Sequence, residues 1–260
     1  MKKNLMMRIA SFLLVAVLIS TSAISGTYAK YVTADDATDS ARVAKWGVVA
    51  SVDGTLFYDS YKDSKTTWTA GEDTIDITVQ AATAGQRVVA PGTKNTEGMT
   101  IILSGAPEVD VDVVFKFEAD EEIMLEKGTY TDYTRPSDAN ADGTPIYGNT
   151  FDLADNYYPV VFTLTKDGAV VAQGNVAAIQ AYLAPLNTRY DTNEGMGAIN
   201  GEYVLTWEWA FDAANNPNGL PTNDKADTYL GNAAVGAPFS TDGATTEMDV
   251  TFTITVTQVN

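Results

Sequence analysis

The sequence holds 260 residues, with 34 acidic against 16 basic side chains, a net charge of −18, and neither cysteine nor histidine. A surface this negative repels nucleic acid and anionic membranes, and the two missing residue types exclude disulfide stapling, Ser-His-Asp and Cys-His catalytic sets, and the usual histidine-based zinc sites. At 45% hydrophobic and 19% charged residues the chain is unlike a disordered acidic tail, and it is long enough to bury one large core.

The first segment has the three parts of a cleavable secretory signal. Lys2, Lys3 and Arg8 precede any acid, Ile9–Ile19 is an apolar run, and Thr27-Tyr28-Ala29 places small residues at −3 and −1 for cleavage between Ala29 and Lys30. The apolar run is shorter than the ~20 residues that span a bilayer, and no polybasic stop-transfer segment follows. The expected organisation is a signal peptide over 1–29, a flexible N-terminal segment over 30–41, and a β-sandwich domain over 42–260. Without Lys2, Lys3 and Arg8, 13 basic residues face 34 acidic ones, so the exported part is more acidic still.

Strand patterns dominate the rest. Short candidates are Val43–Val52, Thr74–Val79, Met99–Leu103 and Val160–Thr165. Val109, Val111, Val113, Phe115 and Phe117 recur with a period of two, as do Tyr203, Leu205, Trp207, Trp209 and Phe211. The same period links Met248, Val250, Phe252, Ile254 and Val256, with threonines between them, so each run has one face in a core and one in water. Lys166-Asp167-Gly168-Ala169 predicts a tight hairpin turn. One helix is expected, capped by Asn175, carrying Val176, Ile179, Tyr182 and Leu183 on one face and ended by Pro185. Lys127–Asn149 and Asp212–Ala237 are rich in Gly, Pro, Asn, Asp and Thr and read as long loops. The expected fold is all-β, a jelly-roll-like antiparallel β-sandwich with one short helix and long loops. The closing strand leaves no wall-sorting or membrane-spanning segment to be expected after it.

Several of these segments resemble the TasA/camelysin family of exported Gram-positive biofilm matrix proteins. Gly26-Thr27-Tyr28-Ala29 is similar to the ending read by that family's dedicated signal peptidase. Asp39–Val52 is similar to its segment leading into the first strand. Ala90-Pro91-Gly92 before Met99–Leu103 resembles its Pro-Gly turn, and Thr251–Asn260 its closing strand. Trp207–Phe211 and Asp227–Gly231 resemble further relatives. The resemblance covers the ends and several strands in order but not the long loops. It implies a jelly-roll subunit of a secreted extracellular matrix or surface fibre, whose partners are copies of itself and other matrix or cell-wall components. It also implies assembly by donor-strand exchange, in which the N-terminal strand freed by signal cleavage inserts into the next subunit. The donor here is Lys30, Tyr31, Val32 and Thr33, extending into Ala34–Ser40, with Tyr31 and Val32 its substantial apolar anchors. Physically, a sandwich lacking one strand exposes unpaired N–H and C=O groups that template such an addition, and a head-to-tail contact that does not close makes a filament.

Other functional readings stay open beside it. Asp138, Asn140, Asp142 and Thr144, with Gly143 at the turn, place oxygen ligands as in the first half of a calcium loop. The competing reading is an ordinary turn-rich surface loop, and no other cofactor is expected. Trp207 and Trp209 share a strand face and would stack on sugars if exposed, which gives a monomeric wall- or glycan-binding module; as core residues they, and Trp46, pack the interior. Asp224 and Asp227 form an acidic cluster without a recognisable geometry, and Glu118–Glu126 reads as a solvated charge run. A camelysin-like secreted peptidase is the enzyme alternative, but no catalytic residue can be placed, and none is expected.

Overall fold

The computed structural model describes residues 42–61, 66–70, 73–133, 147–193, 195–210 and 223–259. The chain divides into Met1–Ala44 and Lys45–Asn260; the fold below is that of the second unit. The signal segment, Lys30–Thr33 and the 138–144 loop lie outside the described residues.

Fourteen strands and two α-helices are described. In chain order they are β1 (Val49–Gly54), β2 (Thr66–Ala70), β3 (Asp73–Ile77), β4 (Lys94–Ser104), β5 (Val111–Glu121), β6 (Met124–Leu125), β7 (Gly128–Tyr133) and β8 (Tyr147–Leu153). There follow β9 (Val160–Lys166), β10 (Ala169–Gly174), α1 (Val176–Leu183), β11 (Arg189–Tyr190), β12 (Gly201–Trp209), α2 (Asn223–Val235), β13 (Ala244–Thr245) and β14 (Asp249–Gln258). A five-stranded sheet has the order β1-β4-β12-β9-β10 and a three-stranded sheet the order β11-β5-β14. Every pairing in both is antiparallel. The protein is all-β and sandwich-like, as the alternating runs require.

The core lies between these sheets because each alternating run turns its apolar set inward. Val111, Val113, Phe115 and Phe117 of β5 are buried while their neighbours face water. Tyr203, Leu205, Trp207 and Trp209 of β12 are buried in the same way. Across the layers Phe117 meets Phe162 edge-on at 5.2 Å, and Phe115 meets Tyr203 at 5.6 Å. The β9–β10 hairpin turns on Asp167 and Gly168, both at positive φ (50° and 82°), as the Asp-Gly pair predicts. Asn175 caps α1, its side chain accepting from the Ala178 N–H, and Pro185 sits in the 3₁₀ turn that ends it.

Several expectations change, that of a single helix among them. The stretch Asp212–Ala237 is not a loop throughout: α2 occupies Asn223–Val235, burying Ala226, Asp227, Tyr229, Leu230 and Ala233. Those positions are spaced by three and four, a helical period that the Asn, Asp and Gly around them obscure. The helix stops at Gly236, at φ 75°, whose N–H bonds the Ala233 carbonyl. Lys127–Asn149 likewise begins and ends in the strands β7 and β8, joined as an antiparallel hairpin with Tyr130 and Phe151 buried. Trp46 is 39% exposed rather than core. The strand expected from Val43 starts only at Val49, because Gly47 at φ 49° breaks the extended chain and leaves Trp46 outside the sandwich.

Asn95 at the start of β4, 3% exposed, ties that strand to the chain that follows β1. Its amide donates to the Thr55 and Leu56 carbonyls at 2.7 and 2.9 Å, and its oxygen accepts from the Glu97 and Gly98 N–H groups. Asn95→Ala leaves these groups unpaired, so we expect a loss of about 2–4 kcal/mol in denaturant unfolding at unchanged m-value.

Candidate functional site

A seam lies between β1, an edge of the five-stranded sheet, and β14, an edge of the three-stranded sheet. The register pairs Ala50 with Leu103, Val52 with Ile101 and Gly54 with Met99. Directly opposed residues point to one face, and Leu103 and Ile101 are fully buried. Ala50 and Val52 therefore face the interior side, yet both are exposed. β14 of the three-stranded sheet approaches β1, yet these two side chains stay exposed. On the other side of the seam Val250, Ile254 and Val256 of β14 point inward and are only half-buried, while Phe252 between them is buried. Among the described residues β14 has one ladder partner, β5, and no described strand pairs its other edge.

At the start of β14 the seam widens into a cavity of about 760 Å³. Its first wall is the chain after β1, held by Asn95 and by the Trp207 indole, whose Nε1–H donates to the Leu56 carbonyl at 2.6 Å. Its second wall is Gly85–Pro91. The Ala90-Pro91-Gly92-Thr93 turn fixes that wall against β12: the Gly92 N–H bonds the Trp209 carbonyl at 2.7 Å, and the Trp209 N–H bonds the Thr93 carbonyl at 2.9 Å. Gly92 sits at φ 86°, the conformation a Pro-Gly turn of this kind demands. Leu230 and Asp227 of α2 form the third wall and Met248–Val250 the fourth.

Asp227 is the unusual group here. It is 7% exposed and accepts a hydrogen bond of 2.7 Å from the Tyr157 hydroxyl. Tyr157 is itself held by reciprocal main-chain bonds with Leu125. Burial pushes the Asp227 carboxyl up to about 7. The Tyr157 donor and the nearby Trp209 indole oppose that rise, and the charge of Asp224 adds to it. The Trp209 Nε1–H lies close enough to favour the charged carboxylate but makes no hydrogen bond of acceptable geometry. The sequence marked Asp227 only as part of an acidic cluster, its loop-like surroundings concealing the helix and the burial; the Ala226-Tyr229-Leu230-Ala233 spacing is the signal that places it on a packed helix face.

Trp207 and Trp209 are core residues, at 2% and 4% exposure, and do not present an aromatic shelf to a sugar. Asp224 and Asp227 lie on α2, the first exposed and the second buried. In the acidic run, β5 extends to Glu121, and Glu122 departs from the solvated face: it accepts from the Val176 N–H at the start of α1, and burial raises its carboxyl above the usual range. Asp152 accepts from the Thr129 hydroxyl across the β7–β8 hairpin. The candidate cleavage, donor and calcium residues lie outside the described residues. Among the described residues no group of three or more carboxylates is gathered to hold a metal ion.

Fold and groove together define an all-β, sandwich-like protein with an incompletely covered seam at one edge. Comparison with known proteins found no matching family model, no matching curated protein and no matching solved structure.

Proposed function

We propose that this chain is an exported structural subunit that polymerises head to tail, each copy laying residues 30–40 into the β1–β14 seam of the next. The reading makes it a TasA/camelysin-like component of an extracellular matrix or surface fibre and gives no residue a catalytic role. The observation that carries it is the exposed inner face of β1 beside the edge of β14 that no described strand pairs. One further strand next to β14 would pair that edge and cover Ala50 and Val52, the two jobs a donated strand performs. The segment 30–40 spans eleven residues, and β14 is ten residues long, so the two match in length. Burying Tyr31 and Val32 contributes about 1.5–3 kcal/mol each, and the ladder bonds fix the register.

The opposite edge of the five-stranded sheet is protected. β10 carries a bulge between Val170 and Ala172, and α1 packs against it. Bulged, covered edges resist strand addition, which directs growth to the β14 side and favours a filament over lateral sheets.

The chain contains no cysteine, so an introduced pair reports without background. Val32→Cys combined with Val250→Cys places two thiols on neighbouring strands, where facing Cβ atoms lie about 4.5–5.5 Å apart; Ile254→Cys replaces Val250→Cys to cover a shift of register. Oxidation of the mature double variants is expected to give a ladder of covalent oligomers on a non-reducing gel. A monomer band alone from both pairings contradicts donation into this seam.

A further inference from the structure

The cavity at the start of β14 differs from the rest of the seam in chemistry as well as width. Its lining mixes apolar side chains, the half-buried Val88, Met99 and Val250 among them, with the polar Thr55, Gln86 and Thr246, while Glu247 and Asp249 stand exposed beside them. Arg87 is the one basic residue among the residues that line it, against the exposed carboxylates of Glu247 and Asp249. A partly apolar cup with an acidic rim suits a segment that enters with positive charge and then offers a large aromatic side chain with a polar end. Cleavage after Ala29 would create such a segment: a free α-amino group on Lys30, the Lys30 ammonium, and then Tyr31 and Val32. Elsewhere in residues 30–40 the charges are those of Asp35, Asp36 and Asp39, which the acidic rim would repel. Charge therefore sets the direction of entry.

We infer that this cup is a recognition site for the free, basic amino terminus of an extended peptide with an aromatic second residue, and that its occupant is Lys30-Tyr31 of a second copy. This rests on the strand-donation reading and adds to it a polarity: the leading amine docks at Glu247 and Asp249, Tyr31 fills the cup, and the rest runs along β14 toward Gln258. Capture of a peptide's terminal amine is a recurring mode of peptide recognition, and here exposed carboxylates would supply the opposite charge. Both carboxylates are exposed side chains, so their removal weakens docking while leaving the core intact. Signal cleavage also becomes a switch in this scheme, since an uncleaved chain has no free amine at Lys30.

The test titrates the mature chain, kept monomeric by dilution, with the synthetic peptide of residues 30–40, and follows tryptophan fluorescence and calorimetric heat. The free-amine peptide is expected to bind at least tenfold more tightly than its N-acetylated, Lys30→Gln counterpart. Raising the salt concentration should narrow that difference. Glu247→Gln with Asp249→Asn should reduce binding of the free-amine peptide by a similar factor, with an unchanged circular dichroism spectrum and melting temperature. Equal binding of the two peptides, or no effect of the two carboxylate substitutions, overturns the inference. If the mature chain forms filaments that the carboxylate substitutions do not slow, strand donation stands and the docking polarity falls. If the peptide binds in the predicted amine-dependent way but no filaments form, the cup stands as a peptide site and the fibre reading falls.

Discussion

Unfolding this protein with denaturant is expected to require more denaturant at pH 5 than at pH 8, with Asp227 the largest single source of the difference. The folded-state carboxyl sits at about 7 against a usual value of 3.8. Between those values the folded protein holds a proton that the unfolded chain has released. Stability from this group is therefore fully present below about pH 4, falls as pH rises toward 7, and levels off above it. The amount involved is on the order of 4 kcal/mol. Glu122, raised by burial, acts in the same direction, and relief of the general negative charge at low pH also helps. Asp227→Asn separates the contributions: the amide oxygen still accepts from the Tyr157 hydroxyl, but nothing titrates there. The variant should be more stable than the native chain at pH 8 by several kcal/mol and show a much flatter pH profile. A native profile flat between pH 5 and 8, or one unchanged by the substitution, contradicts the assignment of a buried, protonated Asp227.

The second large effect concerns Trp207, which holds the groove and the core in one side chain. Its ring is 2% exposed, contacts Phe57 at 5.3 Å and Tyr61 edge-on at 6.0 Å, and its Nε1–H bonds the Leu56 carbonyl. Trp207→Ala opens a cavity in the β12 layer and is expected to cost about 3–5 kcal/mol. Trp207→Phe keeps most of the packing and removes the bond to Leu56, with an expected loss of about 1–3 kcal/mol. Equilibrium denaturation measures both. If the two variants lose the same amount, the packing account of this residue is wrong.

The strands were readable because their faces differ. In β5, Asp112, Lys116 and Glu118 sit opposite Val113, Phe115 and Phe117, and in β14 threonines sit opposite aliphatic residues, so the period of two survives any local irregularity. The Asp167-Gly168 turn and the Asn175 cap were readable because each depends on short-range chemistry. What failed depended on partners distant in sequence. α2 has low overall hydropathy, and its buried stripe makes sense only against Tyr130, Tyr157 and Trp209. The seam was half legible: the C-terminal alternation announced a strand, but that its outer edge and the inner side of β1 remain uncovered is a property of the sheet order β1-β4-β12-β9-β10, which no local pattern encodes. Asp227 illustrates the same limit, because its chemistry comes from burial and from Tyr157, 70 residues away in sequence.

The most direct test of strand donation is negative-stain electron microscopy of the mature chain beginning at Lys30, beside a version beginning at Ala41. The account predicts filaments from the first and dispersed single particles from the second, at matched concentration and pH. Filaments from both, or single particles from both, would contradict it.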